Sequence, residues 1–427
     1  MSGTFSRPGL VLTGGLLAWS LYAFLFIARS PSGAFTHDFQ SHLVHTRILY
    51  NQHRLALPRE GWETYQPPLY YAVNTLFSPN RPSHAFWIRL MSVLYGALAL
   101  FLMSRLLTHS HISPQAQEST LLFIATTPAF LFLFSTYNND SLATLLSIAF
   151  LVVAYEWVHQ RQNWQLIGLG ILTTAGLYTK LNMAFPAGAV VTVLAVMAGM
   201  GKFPWILLRR LIGTLAVSVA LLTPWLVGHN YRLTGRLTPV PADFPVFEDI
   251  RLPHTPLQTV LTPPGWTPGE WKDPYTHVWD KTNHKKNSYL AYVFDTSIFG
   301  EYTFAFLPPV LPWAILFLHA GLWIGALWRV RRSPYGVLAV SFIALGLLGL
   351  MTIFFRAPYA GLMDFRYVAW LWLPIALLFS AVLASASSEH ETFFSPSLFR
   401  VVMLLGTFLH VSFWLILFIG GQWNIPK

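Results

Sequence analysis

The sequence contains no cysteine, which excludes disulfides, thiolate metal sites and thiol nucleophiles. Charge is scarce as well: Asp, Glu, Lys and Arg make up 10% of the 427 residues, against roughly a quarter in an ordinary soluble domain. So few charges cannot cover a water-exposed surface. No stretch reads as a soluble domain, and no solenoid-type repeat is visible. What the chain has in abundance is apolar: 54% hydrophobic residues, with 17 Trp, 17 Tyr and 33 Phe, rings that suit the boundary between hydrocarbon and headgroup. The formal net charge of +10 does not point to nucleic acid, because the basic residues fall in short clusters beside apolar runs and form no single stripe. Anionic membrane lipids are the partners this pattern fits.

Apolar runs long enough to cross roughly 30 Å of hydrocarbon lie near 9–28, 85–107, 119–136, 140–158, 164–179, 182–199, 206–228, 304–328, 334–355, 366–385 and 399–420. The expected fold is therefore an all-α polytopic membrane protein of about eleven transmembrane helices, the first run being a retained span. Short loops holding Arg105, Arg161, Lys202, Arg209, Arg210, Arg329, Arg331, Arg332 and Arg400 alternate in a way that puts the N-terminus in the cytoplasm. Two polar segments, 29–84 and 229–303, then face the non-cytoplasmic side. The first carries Phe39, Leu43, Ile48 and Leu49 at helical spacing, which predicts an amphipathic helix along the membrane surface. The second is broken repeatedly by proline and reads as a lid without long regular elements.

Several polar residues cluster by position. If 37–45 is helical, Asp38, His42 and His45 share one face. Such a face suits a general base, a metal site or a solvated interfacial surface. Tyr65-Gln66-Pro67-Pro68-Leu69-Tyr70-Tyr71 precedes the second span, where prolines fix the backbone and aromatics anchor it at headgroup level. Asp140, in Tyr137-Asn138-Asn139-Asp140-Ser141, can cap the fourth span or serve a site. Lys180 ends the fifth span on the side that the positive-inside bias disfavours, so it needs an anionic partner or snorkels to water. Arg366 stands beside Asp364 and Tyr367, and either the carboxylate or a phosphate suits a guanidinium. The orientation brings Asp38, Asp140, Lys180 and Arg366 to one face of the membrane.

The order of these motifs resembles the GT-C class of membrane glycosyltransferases, especially bacterial relatives of the protein O-mannosyltransferases and lipid A aminoarabinose transferases. The matching positions are Asp38 soon after the first span, Pro67-Pro68-Leu69-Tyr70-Tyr71, Asn138-Asn139-Asp140 and Gly176-Leu177-Tyr178-Thr179-Lys180. They continue with Pro224-Trp225, Asn230-Tyr231-Arg232-Leu233-Thr234-Gly235, and Arg366-Tyr367 leading to Leu373-Pro374. The resemblance implies Asp38 as catalytic base and a donor sugar linked to a polyprenyl phosphate, presented from the outer leaflet of the plasma (inner) membrane. His42, Tyr65, Gln66, Asn139, Asp140, Lys180, Arg366 and Tyr367 are the expected substrate contacts, and the acceptor is a glycan, lipid or protein. The family often has a second acidic residue directly after the first, where this chain has Phe39. No cofactor is required by the implied chemistry, although His42 and His45 could complete a divalent metal site with Asp38. In outline, 1–228 is the catalytic transmembrane module, 229–303 a large outer loop and 304–427 the C-terminal helices. The alternatives are a transporter or lipid flippase, or a non-catalytic scaffold of a polysaccharide assembly complex. Transporters place polar groups near the bilayer midplane, whereas these sit at span ends.

Overall fold

The computed structural model describes residues 7–30, 38–240, 243, 255–262, 288–300, 310–329, 333–358, 360–385 and 395–420. Among them every regular element is a helix. Helix α1 (Arg7–Arg29) leads through α2 (Phe39–Gln52) and α3 (Leu69–Asn74) to α4 (His84–His109). Next come α5 (Pro114–Thr126), α6 (Pro128–Ser135), α7 (Asp140–Gln160), α8 (Asn163–Thr179), α9 (Ala184–Gly199) and α10 (Trp205–Leu221). Within the large loop lie α11 (Pro256–Leu261) and α12 (Tyr289–Phe299), and after it α13 (Val310–Arg329), α14 (Pro334–Arg356), α15 (Trp372–Ala384) and α16 (Pro396–Gly420), short 3₁₀, π and single-turn segments aside.

Among the described residues eight helices are long and apolar enough to cross a membrane, or nine if the bent pair α5 and α6 is one crossing. This is fewer than the eleven apolar runs. The runs at 9–28 and 164–179 fall on α1 and α8, and the 17 residues of α8 rise only about 26 Å at 1.5 Å each. The run at 119–136 is not one straight span, because its two helices meet at 64°. Pro128 lacks the N–H that would continue α5, and the carbonyls released at the bend still need donors inside a bilayer. Trp19 Nε1 donates to the Ala125 carbonyl at 3.0 Å and Trp414 Nε1 to that of Thr126 at 3.3 Å.

The segment 229–303 also departs from expectation. Its last part is α12, an eleven-residue helix with seven buried side chains, packed against α6 and against the 3₁₀ segment Phe365–Leu371. Most of the remainder lies outside the described residues, and so does its reading as a lid. The crossing Gly361–Ala384, which carries Arg366, is the most enclosed of the eight. It packs on α7 through its 3₁₀ segment and on α5 through α15.

One buried arginine joins the helix ends nearest the polar segments. Arg89, on α4, is 2% exposed. Its Nε donates to the Ser135 carbonyl at 2.7 Å, its Nη1 to the Ser30 carbonyl at 3.0 Å and its Nη2 to Ser30 Oγ at 2.5 Å. The C-termini of α1 and α6 present unpaired carbonyls and partial negative charge, which a guanidinium satisfies. The chain therefore leaves both helices at set points, Ser30 and Ser135, the second of them shortly before Tyr137. Replacing Arg89 by Met should lower stability in detergent by about 3 kcal/mol, from carbonyl bonds worth roughly 1.5 kcal/mol each. Thermal unfolding against the wild type measures this.

Candidate functional site

Helix α2 turns inward the face that a surface helix would leave wet. His42 and His45 are 1% and 2% exposed, so the reading of a solvated polar face is replaced. They meet Tyr71, whose hydroxyl lies 3.0 Å from His42 Nδ1 and whose ring stacks on that of His45 at 3.6 Å. Tyr70 and Tyr71 are thus interior residues instead of headgroup anchors, and Pro68 starts the short α3. Tyr137 ties the segment down: its hydroxyl is 3.1 Å from Thr46 Oγ1 and from His84 Nε2, and it accepts from Asn74 Nδ2 at 3.4 Å.

Asp38 precedes the first turn of α2 and is 2% exposed. Arg366 Nη1 lies 2.9 Å from Asp38 Oδ2, and its Nε is 3.6 Å from Asp364 Oδ2 and 4.0 Å from Asp140 Oδ2. Lys180 Nζ is 2.5 Å from Asp140 Oδ1 and donates to Asn139 Oδ1 at 3.4 Å. Lys180 therefore has a buried partner and does not snorkel. Asp140 turns to Lys180, and the side-chain acceptor at the start of α7 is Asn138, whose Oδ1 takes the Ser141 N–H at 2.9 Å. Both cations lie over the ring of Tyr367, with Lys180 Nζ 4.4 Å and Arg366 Cζ 5.2 Å from its centre. Asn182 Nδ2 holds the Tyr367 carbonyl at 2.7 Å. Beside the cluster, Gln66 donates to the Tyr65 hydroxyl at 2.9 Å.

The expected residues Asp38, His42, Asn139, Asp140, Lys180, Arg366 and Tyr367 thus gather with Tyr65 and Gln66 close by. Sequence reasoning missed Glu63. Its side chain is 4% exposed and lies with Asp38 and His42 such that one ligating atom of each is within 4.8 Å of the others. This is a possible metal seat, and it differs from the one expected. His45 is not part of it, because its Nδ1 lies 3.2 Å from the Glu63 carbonyl instead. Phe39, directly after Asp38, packs edge-on against Tyr137 at 5.3 Å. The nearby second carboxyl comes from a different part of the loop.

Burial and, after it, the negative charge of Asp38 push the Glu63 carboxyl up to about 8. Burial lowers His42 and His45 to about 3, and for His42 the cations Lys180 and Arg366 act in the same direction. Both imidazoles are therefore neutral at pH 7 and able to accept a proton bond or a ligand.

No protein-family model matches this chain, and no curated protein matches it. The described architecture is similar to that of ArnT from Cupriavidus metallidurans bound to undecaprenyl phosphate, at 14% identity and a TM-score of 0.42, over 95% of this chain and 89% of that one. The same protein in the apo state gives 14% and 0.40, over 95% and 90%. The archaeal oligosaccharyltransferase AglB from Archaeoglobus fulgidus, in complex with an inhibitory peptide and a dolichol-phosphate, gives 14% and 0.47. That alignment covers 93% of this chain and 55% of AglB.

The buried Glu63 has a measurable consequence. The folded protein keeps the Glu63 proton up to about pH 8, while the unfolded chain releases it near pH 4.5. Stability should therefore fall as pH rises between those values. The histidines act oppositely, because the unfolded chain binds their protons below about 6.5 and the folded protein does not. Between pH 6.5 and 8 the Glu63 contribution stands alone of these three. Chelator-treated wild type should lose about 1 kcal/mol per pH unit there, and Glu63→Gln should flatten the slope, as pH-resolved thermal unfolding would record.

Proposed function

We propose that this chain is a glycosyltransferase that moves a sugar from a polyprenyl phosphate carrier to an acceptor at the non-cytoplasmic face of the plasma membrane, with inversion at the anomeric carbon. One observation carries the reading: two cations over a shared tyrosine ring lie beside a buried carboxylate, and the three come from segments far apart in the chain. In this reading 1–228 supplies Asp38, Asp140 and Lys180, and 304–427 supplies Arg366.

Without donor, each cation faces an aspartate. A phosphate oxygen competes for the same guanidinium and ammonium, and charge-assisted bonds of this kind exchange partners at small net cost. As Arg366 turns toward phosphate, it holds Asp38 less strongly. The carboxylate then gains proton affinity, since a nearby positive charge is what favours its ionised form. Asp38 thereby becomes a better base when the donor is in place, and accepts the proton of the acceptor hydroxyl. The attacking oxygen bonds to the anomeric carbon from the side opposite the phosphate. The carrier phosphate departs with the bonding electrons, stabilised by Lys180 and Arg366. Glycoside hydrolysis needs an acid to protonate an alkoxide, whereas phosphate leaves as a stable anion.

Asn139 supports a bound sugar as well. Its Nδ2 is buried with no hydrogen-bond partner among the described residues, and such an orphan donor costs about 1–3 kcal/mol unless something accepts from it. In this reading Tyr65, Gln66 and His42 contact substrate hydroxyls.

The test is transfer from labelled polyprenyl-phosphate sugars by purified, reconstituted protein. Asp38→Asn should cut turnover by roughly 10²–10⁴ while leaving the protein folded; near wild-type turnover would remove Asp38 as base. Lys180→Ala should weaken binding of the carrier phosphate by about tenfold or more. Unchanged affinity and turnover would reduce Lys180 to a structural partner of Asp140. Movement of lipid without transfer would indicate a transporter, and neither activity a scaffold.

A further inference from the structure

The end of the bundle opposite the site holds a cavity that the proposed chemistry does not use. Helix α7 starts at Asp140 and ends at Gln160. At 1.5 Å per residue its last turn lies about 28 Å from the cation cluster, close to the thickness of a bilayer's hydrocarbon. There α4, α7, α9, α14 and α15 enclose a cavity of about 290 Å³. Its floor is apolar and buried, formed by Leu151, Ala154, Leu194, Leu373, Pro374 and Leu377. Protein interiors carry few voids larger than a water, and this one has the volume of roughly ten. Its mouth lies at the helix ends, where His159 and Pro334 are exposed and Tyr155 and Tyr335 half-buried.

The rim of this mouth is cationic. Leu106, which lines the cavity, directly follows Arg105, and Met197, which also lines it, accepts the Lys202 N–H at 2.8 Å. Arg161 closes α7 with its N–H on the Trp157 carbonyl, at 2.8 Å. Arg105, Arg161 and Lys202 are all exposed. His159 uses Nδ1 on the Tyr155 carbonyl at 2.8 Å, which keeps Nε2 for another partner. The acid beside them, Glu156, is buried and already holds Arg105 Nε at 2.8 Å. The N-terminus of α14, at Pro334, adds partial positive charge to the same rim. An apolar shaft ringed by cations is complementary to a molecule with a hydrocarbon tail and an anionic head.

We propose that this cavity binds one anionic glycerophospholipid of the leaflet at its own end of the bundle. One acyl chain enters the cavity, and the phosphate lies among Arg161, Lys202 and His159. Bilayer hydrocarbon is as apolar as the cavity wall, so the chain contributes by filling a void and restoring lost contacts. The head supplies the preference, roughly fivefold for each cation near the surface. A zwitterionic head offsets that attraction with its own ammonium group. The inference does not rest on glycosyl transfer, and Lys180 and Arg366 take no part in it.

The experiment uses the full chain, delipidated in detergent and titrated with phosphatidylglycerol or phosphatidylcholine of matched chains. Native mass spectrometry counts the bound lipid, and thermal unfolding reads its effect. The expected result is one saturable phosphatidylglycerol per chain, held tenfold or more tighter than phosphatidylcholine. Ala154→Leu and Leu194→Phe, which put bulk into the cavity, should each weaken binding by tenfold or more. Without lipid both should melt no lower than the wild type, because the added atoms occupy a void. Arg161→Asn combined with Lys202→Gln should leave a preference of about twofold between the two lipids. Absence of saturable binding overturns the proposal, and so does equal affinity for the two heads. Wild-type binding by a cooperatively melting filled variant overturns it as well, since the lipid would then sit elsewhere. Should neither filled variant fold, the rim double variant decides alone, and an unchanged preference there removes the site. Donor transfer is assayed separately, so either result leaves the assignment of Asp38 standing.

Discussion

The guanidinium of Arg366 lies against Asp38, Asp364 and Asp140, at 2.9, 3.6 and 4.0 Å, and the segments that carry these groups cannot be placed independently of it. Each charge is buried, so each depends on the others for compensation. Removing one partner from such a network costs several kcal/mol because it strands a charge, whereas the intact network adds little net stability. The constraint is one of registry: the loop after α1, the start of α7, the end of α8 and the central crossing must meet at one end of the bundle.

Backbone chemistry in a bilayer supports that meeting. Carbonyls freed by the bend between α5 and α6 are taken by Trp19 and Trp414, and those ending α1 and α6 by Arg89. In water these groups would hydrate. In hydrocarbon they need protein donors, and the donors come from helices distant in sequence. The bend also directs α6 toward the Tyr137 to Asp140 turn, where the Tyr137 hydroxyl gathers α2, α3 and α4. The same side chains that satisfy the fold thereby aim the site.

Much of the site was legible beforehand. Asp38, Asp140, Lys180 and Arg366 stood out as charges at the ends of apolar runs, a position where charge is rare enough to carry information. Glu63 gave no such signal. An acidic residue in a polar loop is ordinary, and neither spacing nor charge separates a buried one from a solvated one. The two histidines of α2 show the opposite error: periodicity placed them on one face, yet only His42 reaches the carboxyl groups, because Tyr71 and the Glu63 carbonyl engage His45.

Hydrophobic patterning by itself determined that this is a helical membrane protein and which polar residues lie at the ends of its apolar runs, because the cost of burying charge in lipid is written residue by residue. It did not determine the bend at Thr127-Pro128, the helical end of the large loop, or the choice of Lys180 for Asp140 and Arg366 for Asp38. Those depend on which helices become neighbours. Ion pairing and carbonyl satisfaction are contacts through space, and separations of 40 residues for one pair and far more for the other leave no local trace in the chain.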